Sequence, residues 1–267
     1  MKNFYFDLNK TKPNTMDKAE ELSAYIRSKG GKATISGEVP EDTDCIIVLG
    51  GDGTFLRSVK DFGKLDKPFL GINMGSLGFL TMTEIPAAFA AIDDLMADNY
   101  KLEHRMQLIC VKEGHEISTA LNDIAITQGG FSHLIGLEVY VNDQHFGTYE
   151  ADGIIISTPT GSTGYNLSAA GPIVTPMVNA MIITPICPHS FNARSIIISG
   201  DDRVKIRTFG TKHRMNETAY VTVDGEDYTT MKPDDEVVIE KSRYSCKMCM
   251  LPGMSFIETL NTKMTGR

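Results

Sequence analysis

Five consecutive apolar residues, Cys45-Ile46-Ile47-Val48-Leu49, run straight into Gly50-Gly51-Asp52-Gly53-Thr54. An unbroken apolar strand is buried on both faces, as in the centre of a parallel sheet covered by helices. Glycines at its carboxyl end let the backbone approach a ligand closely. The helical run that follows at 54–62 offers unpaired N–H groups to an anion. Ligands in open α/β sheets bind beyond the carboxyl ends of strands, which is where this loop falls. It lacks the GK[ST] ending of a Walker A loop and is not the Rossmann G-x-G-x-x-G. An acid held between glycines beside phosphate can orient Mg²⁺ or take a proton from an attacking hydroxyl. The plain alternative is a tight turn in which Asp52 caps the helix.

The segments around this run extend the pattern. Residues 3–8, 33–36 and 69–72 read as strands. Leu22, Tyr25 and Ile26 recur at helical spacing over 15–29 until Gly30-Gly31 stops them, and a last helix over 86–97 opens on Pro86. Residues 1–100 are therefore expected to form an α/β domain on a mostly parallel sheet. After residue 100 alternating β-branched segments dominate, at 107–111, 116–121, 136–141, 154–157, 195–199, 203–208, 219–223 and 236–240. Residues 101–249 are expected to form an all-β second domain. The tail, 250–267, reads as loop and then weak helix that returns to the first domain.

Composition limits the partners. The chain has 267 residues, with 26 Lys plus Arg against 34 Asp plus Glu and a net charge of −8. That balance argues against a nucleic-acid backbone as ligand. Apolar stretches such as 182–187 are short and interrupted by proline, so no membrane span is expected. The first residues, MKNFYFDLNKTKP, carry an acid and no apolar core of a signal peptide, which points to the cytoplasm. Five cysteines without a secretion signal do not suggest a disulfide framework. Cys246 and Cys249 form a CxxC, but no second pair of ligands stands at zinc spacing, so they read as core-strand residues and no protein metal site is expected.

Three further segments carry chemistry. Gly71-Ile72-Asn73-Met74-Gly75-Ser76-Leu77-Gly78-Phe79 follows the strand at 69–72 and supplies a second glycine rim. From Asp152 to Gly171 a buried strand feeds a run of Ser, Thr, Gly and Pro residues and then Tyr165. Small polar groups with one aromatic face suit a nucleoside. Asn122-Asp123, at the end of a strand, adds an amide and a carboxylate able to pair with a base and ribose hydroxyls, though such a pair is more often a turn.

GGDGT followed by Phe55-Leu56-Arg57, GINMGSLGFL at 71–80, Leu121-Asn122-Asp123, the long block at 152–174 and PICPHSFNAR at 185–194 resemble, in this order and spacing, the NAD kinase family. GGDGT alone is shared with lipid kinases and phosphofructokinases; the STPTGST block with PICPHS is more particular. The resemblance implies an α/β domain joined to a β-sandwich, assembled as a homodimer or homotetramer. It implies phosphoryl transfer from ATP or polyphosphate, with Mg²⁺ or another divalent cation, to the 2′-hydroxyl of the adenosine ribose of NAD. Asp52 matches the family's base and Gly53 belongs to the same phosphate-facing loop. Asn122, Asp123 and Asp152 match residues that contact NAD, and Thr163, Gly164, Tyr165 and Ser168 fall in the segment around the dinucleotide. Arg57 is placed either on phosphate or as a solvated helix charge. Three positions depart from the family's habit: Asp123 stands for Glu, Gly164 for Ala, and Glu150 for a residue that is often basic. The rival readings are a diacylglycerol-type lipid kinase and a non-catalytic NAD-binding sensor.

Overall fold

The structure, a computed structural model, describes residues 1–129, 134–190, 193–210 and 218–265. Phe191 and Asn192 of the PICPHSFNAR motif and the last two residues of the tail lie outside the described residues. The chain divides into two compact units, Met1–Arg105 with the chain from Tyr244 onward, and Met106–Arg243.

The first unit opens with β1 (Asn3–Leu8), α1 (Thr15–Ser28), β2 (Lys32–Ile35), β3 (Cys45–Gly50), α2 (Asp52–Phe62), β4 (Phe69–Asn73), β5 (Thr83–Glu84) and α3 (Ala88–Met96). β2-β1-β3-β4 is the sheet order and every pairing is parallel. All six residues of β3 are buried, as its apolar run requires. α1 turns Ala19, Leu22, Ser23 and Ile26 inward at three- and four-residue spacing. Gly30 ends it with φ +82°, a left-handed conformation that costs glycine nothing. Phe4, Phe6, Leu22, Ile26, Ile47, Leu49, Leu70 and Ile92 share one core. Two helix starts differ from expectation. α2 begins at Asp52, with Gly51 as its N-cap. Pro86 lies in a single 3₁₀ turn over Ile85–Ala87, and α3 starts only at Ala88.

The chain continues through β6 (Lys101–Lys112), β7 (His115–Ala120), β8 (Asp123–Gln128), β9 (Ile135–Val141), β10 (Gln144–Ala151), β11 (Gly153–Ser157), α4 (Tyr165–Ser168), β12 (Ala180–Ile186), β13 (Ile196–Ser199), β14 (Val204–Phe209), β15 (Ala219–Val223), β16 (Glu226–Met231), β17 (Glu236–Met250) and α5 (Phe256–Thr265). In the second unit β13-β12-β11-β8-β15-β16 form one antiparallel sheet, and β10-β9-β14 with the first half of β17 form another. Ile124, Ile126, Ile154, Ile156 and Val221 from the first sheet share a core with Leu137, Val139, Val204, Ile206 and Val237 from the second. This is a β-sandwich. β8, β10, β12 and β16 are additions to the sequence reading. β10 buries only Ala151 and is an edge strand held by its pairing with β9. β16 exists because Asp224-Gly225, both at positive φ, close a two-residue hairpin.

β17 runs ten residues past the expected end at 240. Its Met248 pairs with Phe69 of β4, and Cys249 and Leu251 join the core of the first unit. The division between the two compact units accordingly falls inside β6 and β17, after Arg105 and before Tyr244. No described helix is long and apolar enough to cross a membrane.

Candidate active site

Asp52 stands at the first position of α2, half-buried, and its side chain does not cap the helix. Its carboxylate is turned to the second glycine loop. Oδ2 accepts the N–H of Phe79 at 2.8 Å; Oδ1 accepts the N–H of Leu80 at 3.0 Å, the N–H of Thr81 at 3.1 Å and the hydroxyl of Thr81 at 2.9 Å. The capping alternative is thereby excluded: the acid organises the neighbouring loop instead. Gly78 makes this approach available, because a Cβ there would stand 1.9 Å from Asp52 Oδ1. Asn73 holds the same loop from its base, donating to Thr81 Oγ1 at 2.9 Å and to the carbonyl of Ser76, and accepting the N–H of Gly75. Oδ2 keeps acceptor capacity for one more donor. Gly53 is exposed, and a Cβ there would meet nothing within 4 Å.

Arg57 lies in the second turn of α2, paired with an acid of β1. Its guanidinium donates to both carboxylate oxygens of Asp7, at 3.2 and 3.1 Å, and to the carbonyl of Leu8 at 3.1 Å.

In the second unit, Asn122 and Asp123 stand at the start of β8, not at the end of a strand. Asp224, at the tip of the β15–β16 hairpin, fixes the chain there. Its carboxylate accepts the N–H groups of Leu121, Asn122 and Asp123 at 2.8, 2.8 and 3.1 Å. Asp224 is absent from the sequence reading, although an Asp-Gly pair between alternating runs is a hairpin signal. Asp123 is 5% exposed, and its carboxylate has no donor among the described residues. Burial, reinforced by the charge of Asp224, pushes its pKa up to about 7. A buried carboxylate without a partner is unfavourable unless it is protonated or a ligand supplies donors.

The Ser/Thr-rich block is not a set of free polar groups. The hydroxyl of Thr158 donates to the Leu121 carbonyl at 2.6 Å and accepts the N–H of Gly161 at 3.0 Å. Ser162 exchanges hydrogen bonds with the backbone of Val174. Asn166 is fully buried. Its amide bonds Ser162 and Pro172, and its oxygen accepts from Thr184 at 2.7 Å. These side chains shape the loop and leave the ligand to others. Gly161 packs on the Asn122 backbone, where a Cβ would come within 2.1 Å of its carbonyl oxygen. A Cβ on Gly164 would lie 3.3 Å from Asn122 Nδ2 and 3.7 Å from Asp123 Oδ2. Gly164 therefore borders the Asn122–Asp123 pair, and the missing methyl leaves that space wider. Tyr165 opens α4 with 45% of its surface exposed. Its phenol is raised by desolvation and then by the charges of Asp123, Cys187 and Asp152, which puts Tyr165 in the field of both acids. Asp152 accepts from the Gln128 amide at 3.2 Å, while Thr163 bonds its own turn and Ser168 is exposed.

Among the described residues no group of three His, Cys, Asp or Glu side chains could hold a metal ion. Cys246 and Cys249 are buried on β17.

Residues 8–100 match the ATP-NAD kinase N-terminal domain family and residues 121–251 the ATP-NAD kinase C-terminal domain family, which makes the chain a phosphotransferase. It belongs to the NAD kinase family. It is 41% identical to the NAD kinase of Lachnoclostridium phytofermentans, over 98% of this chain and 99% of that one. It is 40% identical to the NAD kinase of Agathobacter rectalis, over 99% of each. Among solved structures it resembles yeast NADH kinase complexed with NADH, with a TM-score of 0.89 and 25% identity, over 99% of this chain and 88% of that one. The fold is also that of an Archaeoglobus fulgidus NAD kinase in complex with ATP, with a TM-score of 0.81 and 24% identity over the full length of both.

Proposed function

We infer that this chain phosphorylates the 2′-hydroxyl of the adenosine ribose of NAD, with ATP or polyphosphate as donor. The observation that carries this reading is Asp52. Its carboxylate is intact, is released from helix capping, and is held in one orientation at the carboxyl end of a parallel sheet by three N–H groups and a hydroxyl. In a kinase of this family such a group accepts the proton of the attacking hydroxyl, Oδ2 being the oxygen with room for it. Asn122, Asp123, Asp152, Gly164 and Tyr165 bind the dinucleotide: the unpartnered Asp123 carboxylate takes ribose hydroxyl donors and the exposed Tyr165 ring stacks on a base. Thr163 and Ser168 belong to the same dinucleotide segment, and Gly53 to the phosphate-facing loop of Asp52. Mg²⁺ on the donor would neutralise phosphate charge. A cytoplasmic homodimer or homotetramer belongs to the same proposal, resting on the sequence resemblance.

The test is direct. Purified protein is incubated with NAD, ATP and Mg²⁺, and NADP is read with an NADP-specific dehydrogenase. NADP without phosphorylated diacylglycerol is expected. Phosphorylated lipid, or NAD binding without turnover, refutes the assignment.

A further inference from the structure

Lys12 lies in the loop that follows β1. In the order β2-β1-β3-β4 the chain switches sides between β1 and β3, and ligands of open α/β sheets bind at the carboxyl ends of such a pair. The β1 loop and the GGDGT loop border that crevice. Lys12 is anchored there through its backbone: its N–H donates to the Asn9 carbonyl at 3.2 Å, and its own carbonyl accepts the Thr15 hydroxyl at 3.1 Å. Asn9 is in turn latched to the end of β3 and to α2, donating from its backbone to Leu49 at 2.9 Å and from its amide to Thr54 Oγ1 at 3.1 Å.

The ammonium lies in space that a glycine in each of two loops leaves open. A Cβ built on Gly75 would stand 3.2 Å from Lys12 Nζ, and one on Gly51, the N-cap of α2, 3.9 Å from it. Among the described residues this ammonium makes no ion pair or hydrogen bond, in a chain where acids outnumber bases 34 to 26. A cation with no ion pair of its own beside the positive end of a helix is an arrangement that an anion relieves. Arg57, the other cation that the sequence offers for phosphate, is ion-paired with Asp7, whereas Lys12 is not.

We propose that Lys12 binds the terminal phosphates of the phosphoryl donor, reaching them across Gly51 and Gly75. The proposal rests on the phosphotransferase reading. It assigns the donor rather than NAD because the side chains expected to hold NAD belong mostly to the second unit, whereas Lys12 and both glycine loops belong to the first.

Three measurements on the full chain test it: KM for ATP, KM for NAD, and calorimetric binding of inorganic tripolyphosphate. A hydrogen bond to a charged group is worth about 10–150-fold in affinity. Lys12→Met and Lys12→Gln, compared only where melting matches the wild type, should raise KM for ATP and weaken tripolyphosphate by that factor, with KM for NAD within about twofold. Lys12→Arg should retain most of the affinity. In the wild type, tripolyphosphate should protect Lys12 from reductive methylation, read by mass spectrometry. Equal methylation with and without tripolyphosphate, or a KM rise confined to NAD, overturns the proposal. If no NADP forms at all the functional reading fails, while the tripolyphosphate measurements still decide the role of Lys12.

Discussion

Asp123→Asn removes a carboxyl group that is 5% exposed and has no donor among the described residues. In the folded chain its pKa rises from an ordinary 3.8 to about 7, first through burial and then through Asp224. Well below pH 4 the group is neutral folded and unfolded, so the substitution changes little. Between pH 4 and 7 the unfolded chain ionises Asp123 while the folded chain keeps its proton. Wild-type stability therefore falls as pH rises through that window, and the loss is complete above the folded pKa. At 1.36 kcal/mol per pH unit the difference amounts to something on the order of 4 kcal/mol. The asparagine variant avoids it and also relieves Asp224 of a neighbouring charge. Urea melts of both proteins, followed by circular dichroism from pH 4 to 9, measure the difference, and hydrogen exchange at β8 amides localises it. The variant should differ from the wild type by less than about 1 kcal/mol at pH 4 and become progressively more stable up to about pH 8, while KM for NAD rises. A stability difference independent of pH, or one favouring the wild type at pH 8, would refute the claim that Asp123 is buried without a partner.

Asp52→Asn should lower kcat by roughly 10²–10⁴ with NAD binding retained in calorimetry. Because four donors converge on this carboxylate, the amide should also speed hydrogen exchange at Phe79–Thr81; near wild-type turnover would remove Asp52 from the chemistry. Tyr165→Ala should raise KM for NAD by a factor worth about 1–3 kcal/mol, with kcat nearly unchanged. A collapsed kcat at constant KM would show that the ring does more than stack. Cys246→Ala with Cys249→Ala should leave metal content unaltered. Stoichiometric zinc in the wild type, lost in the variant, would contradict the reading of these two as packing residues.

The parallel α/β layer was readable because its signals are local: an apolar run, a glycine stop, a loop after a strand. Strands such as β10 carry no apolar stripe of their own, and only the partner strand specifies them. The site divides in the same way. Asp52 stands out between glycines, but that its carboxylate clasps residues 79–81 depends on contacts more than twenty positions away. Asp224 acts on 121–123 across a hundred residues, and no spacing rule connects the two. The Ser and Thr residues of the 152–171 block look like ligand groups in a linear reading because their hydroxyls are counted there as available. In the fold the hydroxyls of Thr158 and Ser162 are committed to backbone groups. Arg57 was ambiguous for a similar reason, since Asp7 is its neighbour only after β1 and α2 pack.

The first unit is assembled from two stretches of chain separated by the whole of the second, and its core takes in Cys249 and Leu251. During synthesis the ribosome releases β1 to α3 early, yet the strand that covers the free edge of β4 emerges only after Met106–Arg243 has been made. At 5–20 residues per second that interval is roughly 7–30 s. Throughout it the Phe69 end of β4, whose Ile72 and Asn73 already pair with β5, lacks its final neighbour, an edge that invites pairing with other chains. Truncation anywhere before Met248 makes that temporary state permanent, so the last turns of the polypeptide govern whether the earliest part to be made is finished.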